Sequence, residues 1–116
     1  MNILYNILNR RANAAAHIKG SDKYPNINGT VSFYTVCNAV LVRAEISGLP
    51  KGNGACSNPV LGFHIHSGSD CTGTKEDPFA DAGAHYNPDD CKHPYHAGDM
   101  PPLFSVNGNA VSVFLV

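Results

Sequence analysis

Two neighbouring segments of this chain repeat apolar residues at every second position. They are TVSFYTV, residues 30–36, and AVLVRAEIS, residues 39–47. In a β-strand, alternate side chains point to the same face, so a period of two indicates a strand with one face turned to a core. Turn-forming residues precede the first segment at Asn28-Gly29 and follow the second in GLPKG, residues 48–52. The sequence therefore predicts two β-strands with defined ends.

Two further strands are predicted nearer the C-terminus. Residues 60–66, VLGFHIH, form one, and residues 109–116, NAVSVFLV, form the other, with Val111, Val113 and Leu115 on one face. Several short strands separated by Gly, Pro and Asn are typical of an all-β sandwich or barrel. About forty residues between these two strands have no sustained periodicity, and a loop of that length is usually functional or disordered.

The chain has 116 residues, which is enough for one domain. Residues 3–8, ILYNIL, have apolar positions at helical spacing but are too few to form a stable isolated helix. We therefore predict that residues 1–13 are a leader and that residues 14–116 form a single β-domain.

Composition excludes several classes of partner. The net charge of −1 provides no basic surface for nucleic acid. No run approaches the roughly 18 apolar residues of a membrane span. Arg10 and Arg11 follow the N-terminal apolar patch, whereas a secretory signal has its basic residues first. This favours a cytoplasmic protein, although the four cysteines leave the redox compartment open.

Five of the six histidines lie between His64 and His96. In GFHIHSG, residues 62–68, strand alternation predicts that Phe63 and Ile65 enter the core while His64 and His66 project together from the opposite face. Two imidazoles on one face suit a shared metal ion. An isolated pair of this kind is more often part of a polar strand face, so the motif alone is weak.

The loop that follows strengthens the metal hypothesis. It supplies three imidazoles and one carboxylate, which is a set that completes a closed tetrahedral zinc site: His85, His93, His96 and Asp99. Gly83 and Gly98 leave the backbone free to fold around an ion. The alternative is a solvated histidine-rich loop.

Three motifs in order, GFHIHSG, GAHYNP and HPYHAGD, resemble the copper/zinc superoxide dismutase family, particularly its bacterial type. The resemblance extends from about Ala14 to the end of the chain. It implies an all-β Greek-key barrel or sandwich of the superoxide dismutase type. It also implies two ligand sets, namely His64, His66 and His85 for copper, and His85, His93, His96 and Asp99 for zinc, with His85 bridging the two ions.

The function implied by the resemblance is superoxide dismutation, in which superoxide anion becomes oxygen and hydrogen peroxide. The catalytic residues would be His64, His66 and His85. Copper changes oxidation state and zinc does not, so copper would exchange the electrons. The alternative is a noncatalytic zinc- and copper-binding remnant of the family. A zinc hydrolase is disfavoured because no HExxH motif is present.

The sequence departs from the family pattern after the zinc loop. Members of the family usually supply a fourth copper histidine and an arginine from later strands, but here no histidine follows His96 and no arginine follows Arg43. We therefore expect a C-terminally truncated member whose β-domain lacks its last strands. An exposed strand edge would then favour self-association.

The cysteines allow several states. Cys71 resembles the loop cysteine of bacterial family members, whose disulfide partner lies near the C-terminus, and Cys91 is a substitute partner. Four cysteines permit three complete pairings, and sequence does not choose among them. For Cys37 and Cys56, the alternative to a disulfide is a buried free thiol. His17 belongs to no motif and is interpreted as an ordinary strand or surface histidine.

Overall fold

The computed structural model describes residues 2–116 and confirms the all-β class. It contains one short α-helix, one 3-10 turn at Ala80–Ala82, and six strands. The elements are α1 (Ile3–Leu8), β1 (Ala14–Lys19), β2 (Asn28–Val36), β3 (Ala39–Ser47), β4 (Val60–His64), β5 (Asp99–Phe104) and β6 (Ala110–Leu115). The four predicted strands are present with similar bounds, whereas β1 and β5 are additional.

One compact unit consists of the chain up to Val60 together with Leu103–Val116. Its four-stranded antiparallel sheet has the order β1-β2-β3-β6. Val31 on β2 lies opposite Ala44 on β3, which lies opposite Ser112 on β6, so these residues share one face. That face supplies most of the core of this unit, including Val31, Val42, Ala44, Ile46 and Ala110, all nearly inaccessible to solvent.

The outer strands explain two differences from the predicted pattern. In β1, Ala14-Ala15-Ala16 lacks the β-branched and aromatic residues that mark strands, so pairing with β2 decides its conformation. In β6, the predicted face is present but exposed, with Val111 74% and Leu115 62% accessible. The opposite face, which carries Ala110, is the one turned toward the core.

The second compact unit is Leu61–Pro102. β4 and β5 form a two-stranded sheet, and β5 was not predicted because Pro101 and Pro102 lie within it. The predicted third strand ends at His64 rather than at residue 66. The prediction that Ile65 enters the core is wrong, since the residue is 39% exposed. Beyond His64, the chain leaves the two-stranded sheet and His66 forms an isolated bridge with His85.

All four cysteines are free and exposed, so the buried state considered for Cys37 and Cys56 is wrong. Cys37 lies in the tight turn between β2 and β3 with a φ of 52°. Within residues 2–116, no helix is long and apolar enough to cross a membrane.

Candidate metal centre

Three backbone hydrogen bonds bring the candidate ligands together. The Tyr86 N–H donates to the Ile65 carbonyl, the Ile65 N–H donates to the Gly98 carbonyl, and the Gly98 N–H donates to the Tyr86 carbonyl, each at 2.8 Å. Ile65 lies between two candidate histidines, Tyr86 follows a third, and Gly98 precedes the candidate carboxylate. This closed triangle therefore fixes three separate segments of the second unit against one another.

Glycine is required at position 98, one corner of that triangle, because a side chain has no space there. A Cβ there would lie 2.4 Å from the Ile65 carbonyl oxygen and 3.0 Å from the Tyr86 Cβ, closer than van der Waals contact permits. The predicted reason for Gly98, a freely folding backbone, is therefore replaced by close approach of neighbouring chain. Gly83 does need its conformational freedom, because its φ is 74°.

Asp99 stands at the middle of a ring of imidazoles. Its Oδ1 lies 2.9 Å from His85 Nδ1, and its Oδ2 lies 3.1 Å from His93 Nδ1 and 3.2 Å from His96 Nδ1. The Nδ1 atoms of His85 and His96 are 3.3 Å apart. Each of the three histidines predicted to bind zinc therefore has its Nδ1 close to an oxygen of Asp99.

The Asp99 carboxylate is buried and only partly satisfied. Its side chain is 6% exposed, and its Oδ2 accepts a hydrogen bond from the His96 backbone N–H at 3.2 Å. Its Oδ1 receives no hydrogen bond in the described chain, because His85 Nδ1 is close enough but unsuitably oriented. A buried carboxylate oxygen without a hydrogen bond destabilises the folded chain unless a cation binds to it.

The electrostatic surroundings keep Asp99 ionised. Burial of the carboxyl group acts to raise its pKa. The His96 backbone N–H and the positive charge that His96, His93 and His85 can carry outweigh burial and hold the pKa of Asp99 below its ordinary value. The centre therefore presents a negative charge to any ion that enters it.

The dimensions of this group fit zinc. A tetrahedral zinc ion with bonds of about 2.0–2.1 Å separates its ligand atoms by roughly 3.3 Å. The four distances of 2.9–3.3 Å, which join these Nδ1 atoms to the two Asp99 oxygens and His85 Nδ1 to His96 Nδ1, are close to that value. Three imidazoles and a carboxylate are also chemically suited to zinc, and Asp99 Oδ1 is an available acceptor.

His66 is oriented by a backbone carbonyl. Its Nδ1 lies 2.8 Å from the Gly83 carbonyl oxygen. Because a carbonyl oxygen only accepts, Nδ1 must carry the proton, which leaves the Nε2 lone pair available to a metal ion. An imidazole held through one nitrogen while the other is open is the usual arrangement of a metal-binding histidine.

His64 packs against His85. Their rings are stacked with centroids 3.9 Å apart and planes inclined by 18°. Burial lowers the pKa of His64, and the neighbouring His85 lowers it further, while Asp99 acts in the opposite direction. His64 is therefore kept in the neutral form that can coordinate a metal.

A cavity of about 440 Å³ opens beside these groups. It is lined by His64, His93 and Asp99 together with Gly62, Phe63, Pro94 and Met100–Pro102. The described structure thus leaves space next to the imidazoles, on the side where β4 and β5 lie. No sequence pattern indicated this cavity, since β5 itself was not predicted.

All six predicted site residues lie in the second unit. Ring centroids there are 3.9–6.4 Å apart for the neighbouring pairs among His64, His66, His85, His93 and His96. His17 lies in β1 of the other unit and is exposed. The role of Gly98 was missed in part, and the signal for it was a glycine placed directly before a candidate ligand.

The comparison with protein families gives one match. The model described as copper/zinc superoxide dismutase (SODC) matches residues 27–115, which is more than half of the chain. No curated protein matches the chain. The match includes both strands predicted from alternation and every residue of the candidate centre.

Proposed function

Because the chain belongs to the copper/zinc superoxide dismutase family, we propose that it binds zinc and copper and removes superoxide. The proposed zinc ligands are His85, His93, His96 and Asp99, and the proposed copper ligands are His64, His66 and His85. The observation that carries the proposal is the approach of three Nδ1 atoms to one buried carboxylate, at 2.9–3.2 Å.

Each residue has a distinct task in this proposal. Copper, when bound, supplies the one-electron exchange by which one superoxide is oxidised and another reduced. His66 offers Nε2 because Nδ1 is held by the Gly83 carbonyl. The Nδ1 of His85 lies beside Asp99, so Nδ1 would serve zinc, and Nε2 would be the nitrogen left for copper or for a proton destined for the peroxide product.

A noncatalytic metal-binding protein is the second candidate, and one observation favours it. The proposed zinc ligands are already close together, whereas His64 and His85 are stacked. In-plane lone pairs of nearly parallel rings do not point to a common ion. The chain is therefore better arranged for zinc than for copper, and copper binding requires one of these rings to turn.

Metal content and superoxide removal, measured together, distinguish the two functions. The chain is stripped of metal, reloaded with zinc and then copper, and assayed for both metals per chain and for inhibition of superoxide-driven reduction of a reporter. We expect His66→Ala to lower copper content and activity, and His17→Ala, which changes an exposed histidine outside the centre, to leave both unchanged. Bound zinc without activity after copper loading supports the noncatalytic function, and failure to bind zinc refutes both.

We also propose that a second copy of the chain pairs with the outer strand β6. Its exposed face carries Val111, Val113 and Leu115, and β6 is an edge of its sheet. A net charge of −1 gives little repulsion between copies. In sedimentation velocity, Val113→Lys should shift the chain toward monomer, while Ala15→Lys on the opposite edge strand should not. A monomer at every concentration of the unaltered chain would contradict the pairing.

A further inference from the structure

One side-chain amide closes the loop that leads to His93. Asn87 Nδ2 donates to the Cys91 carbonyl oxygen, and Asn87 Oδ1 accepts from the Cys91 backbone N–H, each at 2.9 Å. Because an N–H only donates and a carbonyl oxygen only accepts, one orientation of the amide satisfies both bonds. Asp90 lies inside the loop with a φ of 52° and donates its N–H to the Asn87 carbonyl oxygen at 3.4 Å. The Asn87 side chain therefore joins the two ends of residues 87–91.

The two ends of this loop border different parts of the metal centre. Asn87 directly follows Tyr86, a corner of the backbone triangle that fixes the segments of the centre. Cys91 lies two residues before His93, which belongs to a turn of residues 92–95 that a backbone hydrogen bond of 2.8 Å closes. The bonds between Asn87 and Cys91 thus connect the turn that carries His93 to the fixed triangle.

His93 needs such a connection more than the other proposed zinc histidines do. Its side chain is 58% exposed, against 27% for His85 and 18% for His96. Side-chain packing therefore restrains His93 least, although its Nδ1 lies 3.1 Å from Asp99 Oδ2. The position of its ring depends on the path of the backbone before it.

We infer that Asn87 is a positioning residue, which holds the backbone so that His93 is in place before zinc arrives. This inference rests on the proposed zinc binding and adds no ligand to it, since the Asn87 amide is bonded to Cys91. Without the amide, residues 87–92 lose two hydrogen bonds and gain conformational freedom, which binding of the ion then has to remove. Residues that orient a metal ligand typically contribute about 10–100-fold to metal affinity.

A double-mutant cycle tests whether Asn87 acts through His93. Zinc affinity is measured by competition with a chromophoric chelator in the unaltered chain, Asn87→Ala, His93→Ala and the double variant. We expect Asn87→Ala to weaken zinc binding at least about tenfold in the unaltered chain and to have no effect once His93 is absent. Asn109→Ala is the matched control and should leave zinc affinity unchanged. That amide also donates to a loop carbonyl, of Asn107 at 3.2 Å, but lies in the other unit.

Two outcomes overturn the inference. Equal losses from Asn87→Ala with and without His93 would show that Asn87 does not act through His93. Unchanged zinc affinity would show that Asn87 positions no ligand, and a lower urea midpoint of the metal-free variant would then assign it to the fold alone. Either result leaves the proposed function standing, whereas absence of zinc binding in the unaltered chain overturns the proposed function itself.

The unaltered chain supplies an independent measurement if Asn87→Ala fails to fold. In the metal-free chain, NMR should show one side-chain amide proton of Asn87 exchanging with water more slowly than that of free asparagine, because its bond to Cys91 forms before the ion binds. Exchange at the rate of free asparagine would overturn the inference, since the loop would then not be closed in advance.

Discussion

Replacement of Asp99 by asparagine tests how the centre is held together. The substitution keeps the shape of the side chain but removes the charge that faces His85, His93 and His96. An amide offers zinc a neutral oxygen, and its NH₂ group competes for the space that the ion needs. We expect the variant to bind zinc far more weakly than the unaltered chain does.

The size of the effect follows from mass action. Loss of a partner outside the ligand shell typically costs 10–100-fold in metal affinity, so loss of a direct ligand should cost at least about 100-fold. Zinc at a hundred times its Kd stabilises a folded protein by about 2.7 kcal/mol. For a domain of about 100 residues, this raises Tm by roughly 10 °C.

The assay is thermal unfolding with and without zinc at that fixed concentration. The unaltered chain should gain roughly 10 °C, and Asp99→Asn only about 2 °C, because the zinc concentration then merely equals the weakened Kd. Asp89→Asn, in the same loop and exposed, serves as the matched control and should behave as the unaltered chain does. An equal zinc-dependent shift in Asp99→Asn would refute the assignment of Asp99 as a ligand.

Three further predictions concern backbone packing, pH and the core. Gly98→Ala places a Cβ 2.4 Å from the Ile65 carbonyl oxygen, which forces the three backbone segments apart. Zinc affinity measured by calorimetric titration should therefore fall at least about tenfold. An unchanged affinity would show that the backbone triangle does not position the zinc ligands. Folding lowers the pKa of His64, so the unfolded chain binds a proton more readily than the folded chain does. The free energy of unfolding of the metal-free chain should therefore fall as pH drops below about 6.5. In thermal melts from about pH 7.5 to 5, His64→Gln should make this free energy depend less on pH. Val42→Ala removes two buried methyl groups at a fully inaccessible position, so urea unfolding should show a loss of about 2 kcal/mol, against almost none for exposed Val111→Ala.

Local sequence pattern accounts for much of the fold. Strands β2 and β3 alternate strongly because one face is buried, and their predicted bounds agree with the structure to within two residues. β1 and β5 show where pattern fails. Alanine and proline disfavour strands locally, but pairing with a neighbour overrides that preference. The prediction for Ile65 is wrong because β4 ends at His64, so strand alternation no longer decides where the next side chain points.

The candidate centre was predictable as a set of residues but not as an arrangement. Motif order and resemblance to the family gathered His64, His66, His85, His93, His96 and Asp99, which the structure places in one unit. The stacking of His64 on His85, the buried Oδ1 of Asp99 and the space beside β5 depend on tertiary contacts. These contacts join residues far apart in sequence, so no local pattern encodes them.

The most direct test of the zinc centre is X-ray absorption at the zinc edge, on the chain loaded with one equivalent of zinc. The proposed ligands predict a shell of nitrogen and oxygen atoms at about 2.0–2.1 Å, with the outer scattering of imidazole rings. The four exposed cysteines are the competing ligands, and they would give sulfur at about 2.3 Å. A shell of nitrogen and oxygen with imidazole scattering is the expected result, and a sulfur shell would contradict the assignment of the centre to histidines and Asp99.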